Sequence, residues 1–113
     1  MSGDDPLARG ADDDPRPLAE ALAGAWRILR SDVGLDFAAD ARLRFAPDGQ
    51  LDYRFTIEGS AQRIAMRWHA EDDRLSTEVP GAGIARDLRA RVGAGGVLIL
   101  DFGGARAYFV REG

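Results

Sequence analysis

From Arg42 to Arg67 the chain alternates apolar and polar residues, and short turn sequences interrupt this alternation without changing its phase. The apolar positions are Leu43, Phe45, Leu51, Tyr53, Phe55, Ile57, Ile64 and Met66. Period-two alternation bounded by turn residues is typical of strands that bury one face and expose the other. Because such short connections join antiparallel neighbours, the pattern predicts a succession of hairpins.

The same reasoning predicts eight strands, near residues 25–30, 40–46, 50–58, 61–70, 74–79, 84–92, 96–102 and 105–111. An antiparallel meander of this length that buries one face most easily closes on itself, since closure removes its exposed edges. The predicted fold class is all-β: an eight-stranded antiparallel meander that forms a small barrel, closed or incompletely closed, with a short N-terminal helix.

The segment before the first strand has two interpretations. Residues 17–23 contain strong helix formers, with Pro17 at an acceptable first-turn position, and a helix continuing through residue 30 would place four apolar residues on one face (Leu18, Leu22, Trp26 and Leu29). Gly24 in the interior of such a helix would cost about 1 kcal/mol relative to alanine. We therefore favour a short helix that ends near Gly24, followed by a strand that buries Trp26.

Turn chemistry predicts the strand register. A three-residue turn at 47–49 pairs Phe45 with Leu51, and a two-residue turn at 59–60 pairs Phe55 with Ile64. A two-residue turn at 72–73 pairs Arg67 with Glu78, and one at 103–104 pairs residue 101 with residue 106. In this register the outer face carries a row of alternating charges: Arg44, Asp52, Arg67 and Glu78.

One large set of side chains shares the parity of the inner face: Trp26, Leu43, Phe45, Leu51, Tyr53, Phe55, Ile57, Ile64, Met66, Trp68, Leu75, Val79, Leu88, Leu98, Leu100, Phe102 and Phe109. Eight strands enclose an interior that side chains can just fill, or that one small ligand can share with them. The interior is therefore either hollow or filled.

Charge is distributed unevenly along the chain. Residues 1–17 hold five aspartates and two arginines, with few large apolar side chains, and we predict that they form a disordered acidic tail. Residues 18–113 form the predicted barrel domain, in which 14 acidic residues nearly balance 13 arginines. We therefore expect no binding to nucleic acid or to anionic membranes.

Composition adds three points. The chain has no cysteine, and its 15 basic residues are all arginine, which we interpret as a codon-bias trace of a GC-rich bacterial genome. No signal-like N-terminus and no spanning apolar segment is recognisable, so we expect a cytoplasmic location. Zero cysteines exclude disulfide and thiol chemistry.

Catalytic and metal motifs are absent from the sequence pattern. His69 is the only histidine, its parity places it on the outer face, and we expect no serine to face it. The acidic pairs fall in a predicted turn and in the tail. We predict no metal, no cofactor and no catalytic residue, and an enzyme that uses the barrel interior is the least favoured alternative.

Arg86 is the polar residue that stands out. It lies between Ile84 and Leu88 with inward parity, opposite Thr77, and a buried arginine needs a carboxylate, carbonyl groups or an anionic ligand. Alternatively, it lies at an open rim and reaches water. The predicted ligand-binding residues are Trp26, Tyr53, Trp68, Thr77, Arg86 and Arg111.

The last two strands leave four apolar residues on the outer face: Val97, Ile99, Tyr108 and Val110. An apolar patch of this kind is normally covered. Either the N-terminal helix, which we favour slightly, or a second copy of the chain in a homodimer would cover it.

Gly24-Ala25-Trp26 at the start of the first strand and Arg111 at the end of the last resemble the calycin group, which includes lipocalins, fatty-acid-binding proteins and small bacterial lipocalin-like domains. The turn at residues 45–49 is also similar to that of the bacterial domains. The resemblance implies that Arg111 packs over the Trp26 ring and closes one end of the barrel. The connection from Ser31 to Asp40 is too short for the large lid loop of lipocalins.

The resemblance also implies a function. We expect a non-enzymatic barrel that binds a small apolar or amphipathic ligand. The alternative is a protein-interaction module whose core is filled and which has no ligand pocket.

Overall fold

The computed structural model describes residues 14–35, 37–93 and 95–112. One short helix precedes eight strands: α1 (Leu18–Leu22), β1 (Gly24–Ser31), β2 (Arg42–Phe45), β3 (Gln50–Ile57), β4 (Ser60–Glu71), β5 (Arg74–Val79), β6 (Ile84–Val92), β7 (Val97–Asp101) and β8 (Arg106–Arg111). Every strand pairs with its sequence neighbours and β8 pairs with β1, all antiparallel, so the barrel is closed. The predicted fold class is confirmed.

Gly24 separates the helix from the first strand. Its φ of +122° belongs to a backbone region that other residues rarely adopt, so the helix cannot continue through it. Residues 24–31 form a strand, which confirms the interpretation favoured from the sequence. Trp26 is completely buried in that strand.

The predicted register is confirmed at three of the four turns. Phe45 pairs with Leu51 across β2 and β3, Arg67 pairs with Glu78 across β4 and β5, and Asp101 pairs with Arg106 across β7 and β8. In each case the apolar face and the turn geometry favour the same pairing.

The register between β3 and β4 was predicted wrongly. Glu58 and Gly59 form the turn, with φ of 50° and 79°, because a two-residue hairpin turn of this type needs positive φ at both positions and favours glycine at the second. Phe55 therefore faces Gln62, two residues from the predicted partner. Since the shift is even, no side chain changes face.

The shifted register interrupts the predicted row of alternating charges. Asp52 faces Ala65 and not Arg67. Its carboxylate instead accepts a hydrogen bond from the Arg63 guanidinium at 2.9 Å. An exposed ion pair contributes at most about 1 kcal/mol, so the absence of the predicted pair between Asp52 and Arg67 does not affect the fold.

The core fills the end of the barrel that the helix covers. The largest fully buried side chains are Trp26, Phe45, Phe109, Leu22, Leu75 and Leu98. Helix α1 packs mainly against β4 and β6, and its Ala21 and Leu22 belong to the core cluster. The helix thus closes the barrel end and is not the cover that we slightly favoured for the outer patch on β7 and β8.

The outer patch on β7 and β8 is partly screened by its own neighbours. Ile99 is 7% exposed, and Val97, Tyr108 and Val110 are half-buried. The Arg30 guanidinium lies 4.3 Å from the centroid of the Tyr108 ring. An arginine stacked on a tyrosine covers apolar area while its charge stays in water.

The β3–β4 hairpin extends beyond the opposite, open end of the barrel. Ile57 is 52% exposed and Ile64 is 36% exposed, although we predicted both to face the interior. Their parity is inward, but the neighbouring strands end before reaching them. The molecule is correspondingly elongated, with extents of 44 × 28 × 28 Å.

The predicted acidic tail lies outside the described residues except for 14–17. Within this short stretch the Asp14 amide donates a hydrogen bond to the Val92 carbonyl at 2.8 Å, and the Arg16 guanidinium pairs with the Asp14 carboxylate. This pairing holds the pKa of Asp14 down at about 2. Among the described residues, no helix has the length and apolar character needed to cross a membrane.

Candidate functional site

Trp26 and Arg111 form the closed end of the barrel. The Trp26 indole Nε1 donates to the Leu22 carbonyl at 2.8 Å. The Arg111 guanidinium lies 4.2 Å from the centroid of the Trp26 ring and donates to the carbonyls of Ala21 and Ala23 at 2.8 and 3.1 Å. These donors satisfy carbonyl groups at the end of α1, where the helix offers no partners of its own. The arrangement implied by the resemblance is confirmed.

The predicted ligand-binding residues separate into two groups in the structure. Trp26 and Arg111 hold the helix on the barrel and do not line the internal cavity. Trp68 is half-buried, donates its Nε1 hydrogen to the Ala46 carbonyl at 3.0 Å, and packs edge-on against Phe45. It also lies outside the cavity lining. The other three predicted residues line the cavity together.

The cavity has a volume of about 200 Å³ and lies between the core and the open end of the barrel. Its apolar lining consists of Phe37, Leu43, Phe45, Leu51, Met66, Leu75, Val79, Ile84, Leu88, Leu100 and Phe102. The polar side chains with inward parity are those of Tyr53, Thr77 and Arg86, and Glu78, of outward parity, completes the lining. A mainly apolar wall with a few polar groups is typical of a small-molecule site.

Phe37 is a lining residue that we did not predict. It lies in the connection between β1 and β2, which we judged too short for a lid, and its ring centroid is 5.8 Å from Tyr53, 5.8 Å from Phe102 and 5.5 Å from Phe109. The sequence does contain a signal, because Leu35 and Phe37 are the two largest apolar residues of the connection. Both pack against the core.

Two sets of hydrogen bonds attach the β1–β2 connection to the barrel. At one end, the Asp32 amide donates to the Arg106 carbonyl at 2.8 Å and the Arg106 amide donates to the Asp32 carboxylate at 2.9 Å. At the other end, the Asp40 carboxylate accepts from the Thr56 amide at 3.1 Å. Hydrogen bonds from Thr56 hold the pKa of Asp40 below its ordinary value of 3.8. Phe37 is thereby positioned over the cavity.

Replacing Asp40 with alanine should accelerate hydrogen exchange of the Thr56 amide, because that amide loses its acceptor. Since the pKa of Asp40 is depressed in the folded state, the contact is present above the ordinary pKa and disappears as the pH falls through the lowered value. Amide exchange followed by NMR measures both effects. Asp48→Ala is the control, because Asp48 accepts from the Gln50 amide and should leave Thr56 unchanged. Equal exchange rates at Thr56 in Asp40→Ala and the wild type would contradict this assignment.

Tyr53 provides a neutral hydroxyl near the mouth of the cavity. Burial raises the pKa of Tyr53, the Asp40 carboxylate acts in the same direction, and a hydrogen bond from the Ala38 backbone opposes them. A tyrosine hydroxyl is protonated at neutral pH and can donate a hydrogen bond, and the raised pKa extends this state to higher pH.

Arg86 lies at the rim of the cavity. It pairs with Thr77 across β5 and β6, as predicted, and it is exposed. Its guanidinium lies 5.7 Å from the centroid of the Phe102 ring. This position supports the interpretation in which Arg86 reaches water at the rim, and it also places a positive charge at the entrance of the cavity.

The described residues contain no cluster of three or more histidine, cysteine or acidic side chains that could hold a metal ion. One expectation about His69 was wrong: it lies directly opposite Ser76 on the outer face. The Ser76 hydroxyl, however, donates to the Asp87 carboxylate at 2.7 Å, so its proton is directed away from the imidazole. This geometry does not suit a serine nucleophile activated by histidine.

A closed eight-stranded antiparallel barrel with an apolar interior and an arginine stacked on the tryptophan of its first strand defines a lipocalin-like fold. The structure is similar to the crystal structure of a lipocalin-like protein from Bacteroides uniformis ATCC 8492, with a TM-score of 0.64 and 16% sequence identity. The match covers 81% of this chain and 99% of that chain. No protein-family model matches the chain, and no curated protein sequence matches it.

Proposed function

We propose that this chain is a cytoplasmic bacterial protein that binds a small apolar or amphipathic molecule in its barrel cavity, without catalysing a reaction. The observation that carries the proposal is the cavity of about 200 Å³, which has an apolar wall and an arginine, Arg86, at its rim. Our filled-core alternative, a pure protein-interaction module, requires an interior without such a space, so we do not favour it.

The dimensions of the cavity limit the ligand. An apolar cavity of about 150 Å³ is large enough to bind benzene, so about 200 Å³ suits a molecule with one ring or a short branched chain. The apolar part would contact Leu75, Leu88 and Leu100 in the interior. Any polar group would lie toward the rim, where Tyr53 can donate a hydrogen bond and Arg86 offers a positive charge.

Arg86→Ala should weaken binding of the single-ring anionic probe benzenesulfonate by up to about tenfold, because it removes a charge-assisted contact worth about 1.5 kcal/mol at a partly exposed site. Isothermal titration calorimetry measures the change. Arg44→Ala, which removes an exposed arginine on the outer face of β2, is the matched control and should leave the affinity unchanged. An equal loss in both variants would show that only overall charge attracts the probe.

A larger residue in the cavity wall tests the site itself. Leu88→Trp would occupy much of the space and should abolish binding of a small neutral apolar ligand such as benzene, at some cost in stability from overpacking. Circular dichroism checks that the variant is folded. Native mass spectrometry of freshly purified wild type should reveal any co-purified molecule. Unchanged benzene binding by a folded Leu88→Trp variant would overturn the proposal.

A further inference from the structure

β4 has a free edge at the open end of the barrel. It is the longest strand, but β5 pairs with it only from Arg67 to Glu71. From Ser60 to Met66, β4 has β3 on one side, and within the described residues no strand pairs with it on the other. Residues 60–65 are all exposed, so this edge is open to solvent.

The hydrogen-bonding pattern identifies the groups on this edge. The two-residue turn makes Ile57 and Ser60 a hydrogen-bonded pair, and hydrogen-bonded pairs then recur at every second residue along the hairpin. Ala61, Arg63 and Ala65 therefore direct their amide and carbonyl groups away from β3. These groups form a row available to another strand.

The edge lacks the usual protection against strand pairing. Residues 60–66 contain no proline and a single charge, Arg63, which is paired with Asp52 of the same hairpin. Edge strands in monomers are commonly protected by charges, prolines or bulges. The inward-parity face of the same hairpin exposes Ile57 and Ile64, so a pairing strand would also cover apolar surface.

We propose that two copies of this chain pair through the Ser60–Ile64 edges of β4 and form a twofold-symmetric dimer. An antiparallel pair of identical strands is self-complementary, because a twofold axis brings the same donors and acceptors together from both copies. Centring the axis on Gln62 places Arg63 opposite the partner's Ala61, so no like charges face each other. The paired residues, Ser60–Ile64 of each copy, stop short of Arg67, the first residue of β4 that pairs with β5.

Exposed apolar surface supports a second copy as the occupant. In this register Ile64 lies opposite the partner's Ser60, which pairs with the partner's Ile57, so the exposed isoleucines of the two hairpins lie on one continuous face of the joined sheet. The twofold axis repeats this arrangement at both ends. The interface extends the barrel sheet and leaves the cavity lining and the rim arginine in place.

A single introduced cysteine tests the geometry directly, since the chain has none of its own. In the proposed register the two Gln62 residues form a non-hydrogen-bonded pair with Cα atoms about 4.5 Å apart. This spacing allows a disulfide. Gln62→Cys should form a covalent dimer on mild oxidation. Ala85→Cys, an exposed alanine on the outer face of β6, is the control and should stay monomeric on a reducing-agent-free gel.

The mass in solution gives an independent readout. Light scattering should give twice the 12.2 kDa mass of the chain for the wild type. Ala61→Pro removes an amide that points away from β3, so it should keep the barrel's circular dichroism spectrum and give the monomer mass. A wild type that stays monomeric at the highest concentration reached would overturn the proposal. So would a dimer that survives Ala61→Pro but is lost in Val110→Asp, because that result would place the interface on the β7–β8 patch.

Discussion

Replacing Trp26 with alanine is expected to lower the free energy of unfolding by about 3–5 kcal/mol, the range found for deleting a large buried aromatic side chain. The indole is completely buried and donates to the Leu22 carbonyl, and the Arg111 guanidinium stacks on its ring. Its removal leaves a cavity at the closed end and also removes the surface that positions Arg111. Denaturant unfolding followed by circular dichroism measures the loss.

Trp68→Ala provides the matched comparison, because Trp68 also donates its indole hydrogen to a backbone carbonyl but is only half-buried. Its loss should therefore be clearly smaller than that of Trp26→Ala. If the two losses are equal, burial at the closed end does not dominate the stability of the barrel.

Gly24→Ala is the second substitution for which we expect a large effect, a loss of about 1–3 kcal/mol from backbone strain plus the cost of moving Arg111. The strain arises because Gly24 has a φ of +122°. An added Cβ would also lie 3.1 Å from the Arg111 Nη1 atom, so the guanidinium over Trp26 would have to move by a few tenths of an ångström.

Gly34→Ala separates the two causes of the expected loss in stability, the backbone strain and the movement of Arg111. Gly34 also has positive φ, +100°, but an added Cβ there would have no heavy atom within 4 Å. The two variants therefore share the backbone strain, and only Gly24→Ala should disturb the arginine. We expect the difference in unfolding free energy between them to be at most about 1 kcal/mol, the size of a whole cation–π contact. Identical losses would mean that the Arg111 guanidinium accommodates the added methyl group without loss of stability.

The strands were predictable because each depends on local information. Alternation identified the buried face, and turn residues marked where each strand ends. Three of the four register predictions were confirmed, since in those hairpins only one turn position fits both constraints. The turn at Glu58-Gly59 was missed because a shift of two residues preserves the alternation, so the hydrophobic pattern cannot distinguish the two registers.

The candidate site was only partly predictable, because it depends on contacts between distant segments. Tyr53, Thr77 and Arg86 could be assigned to the interior from parity alone, and they line one cavity. Parity does not report depth along the barrel axis, however, so it grouped Trp26 with them although Trp26 lies at the closed end. Phe37 was missed because its segment has no period that could indicate which way the side chain points.

The amino-acid sequence by itself determined the eight strands, their antiparallel order and the face that each side chain occupies, because a two-residue period and short turns are local properties of the chain. Only the tertiary structure decided how far each strand extends, which end of the barrel is closed and where a cavity remains. Those features depend on unequal strand lengths and on contacts that Phe37, Arg86 and Arg111 make with residues distant in sequence. A local sequence pattern contains no information about such contacts.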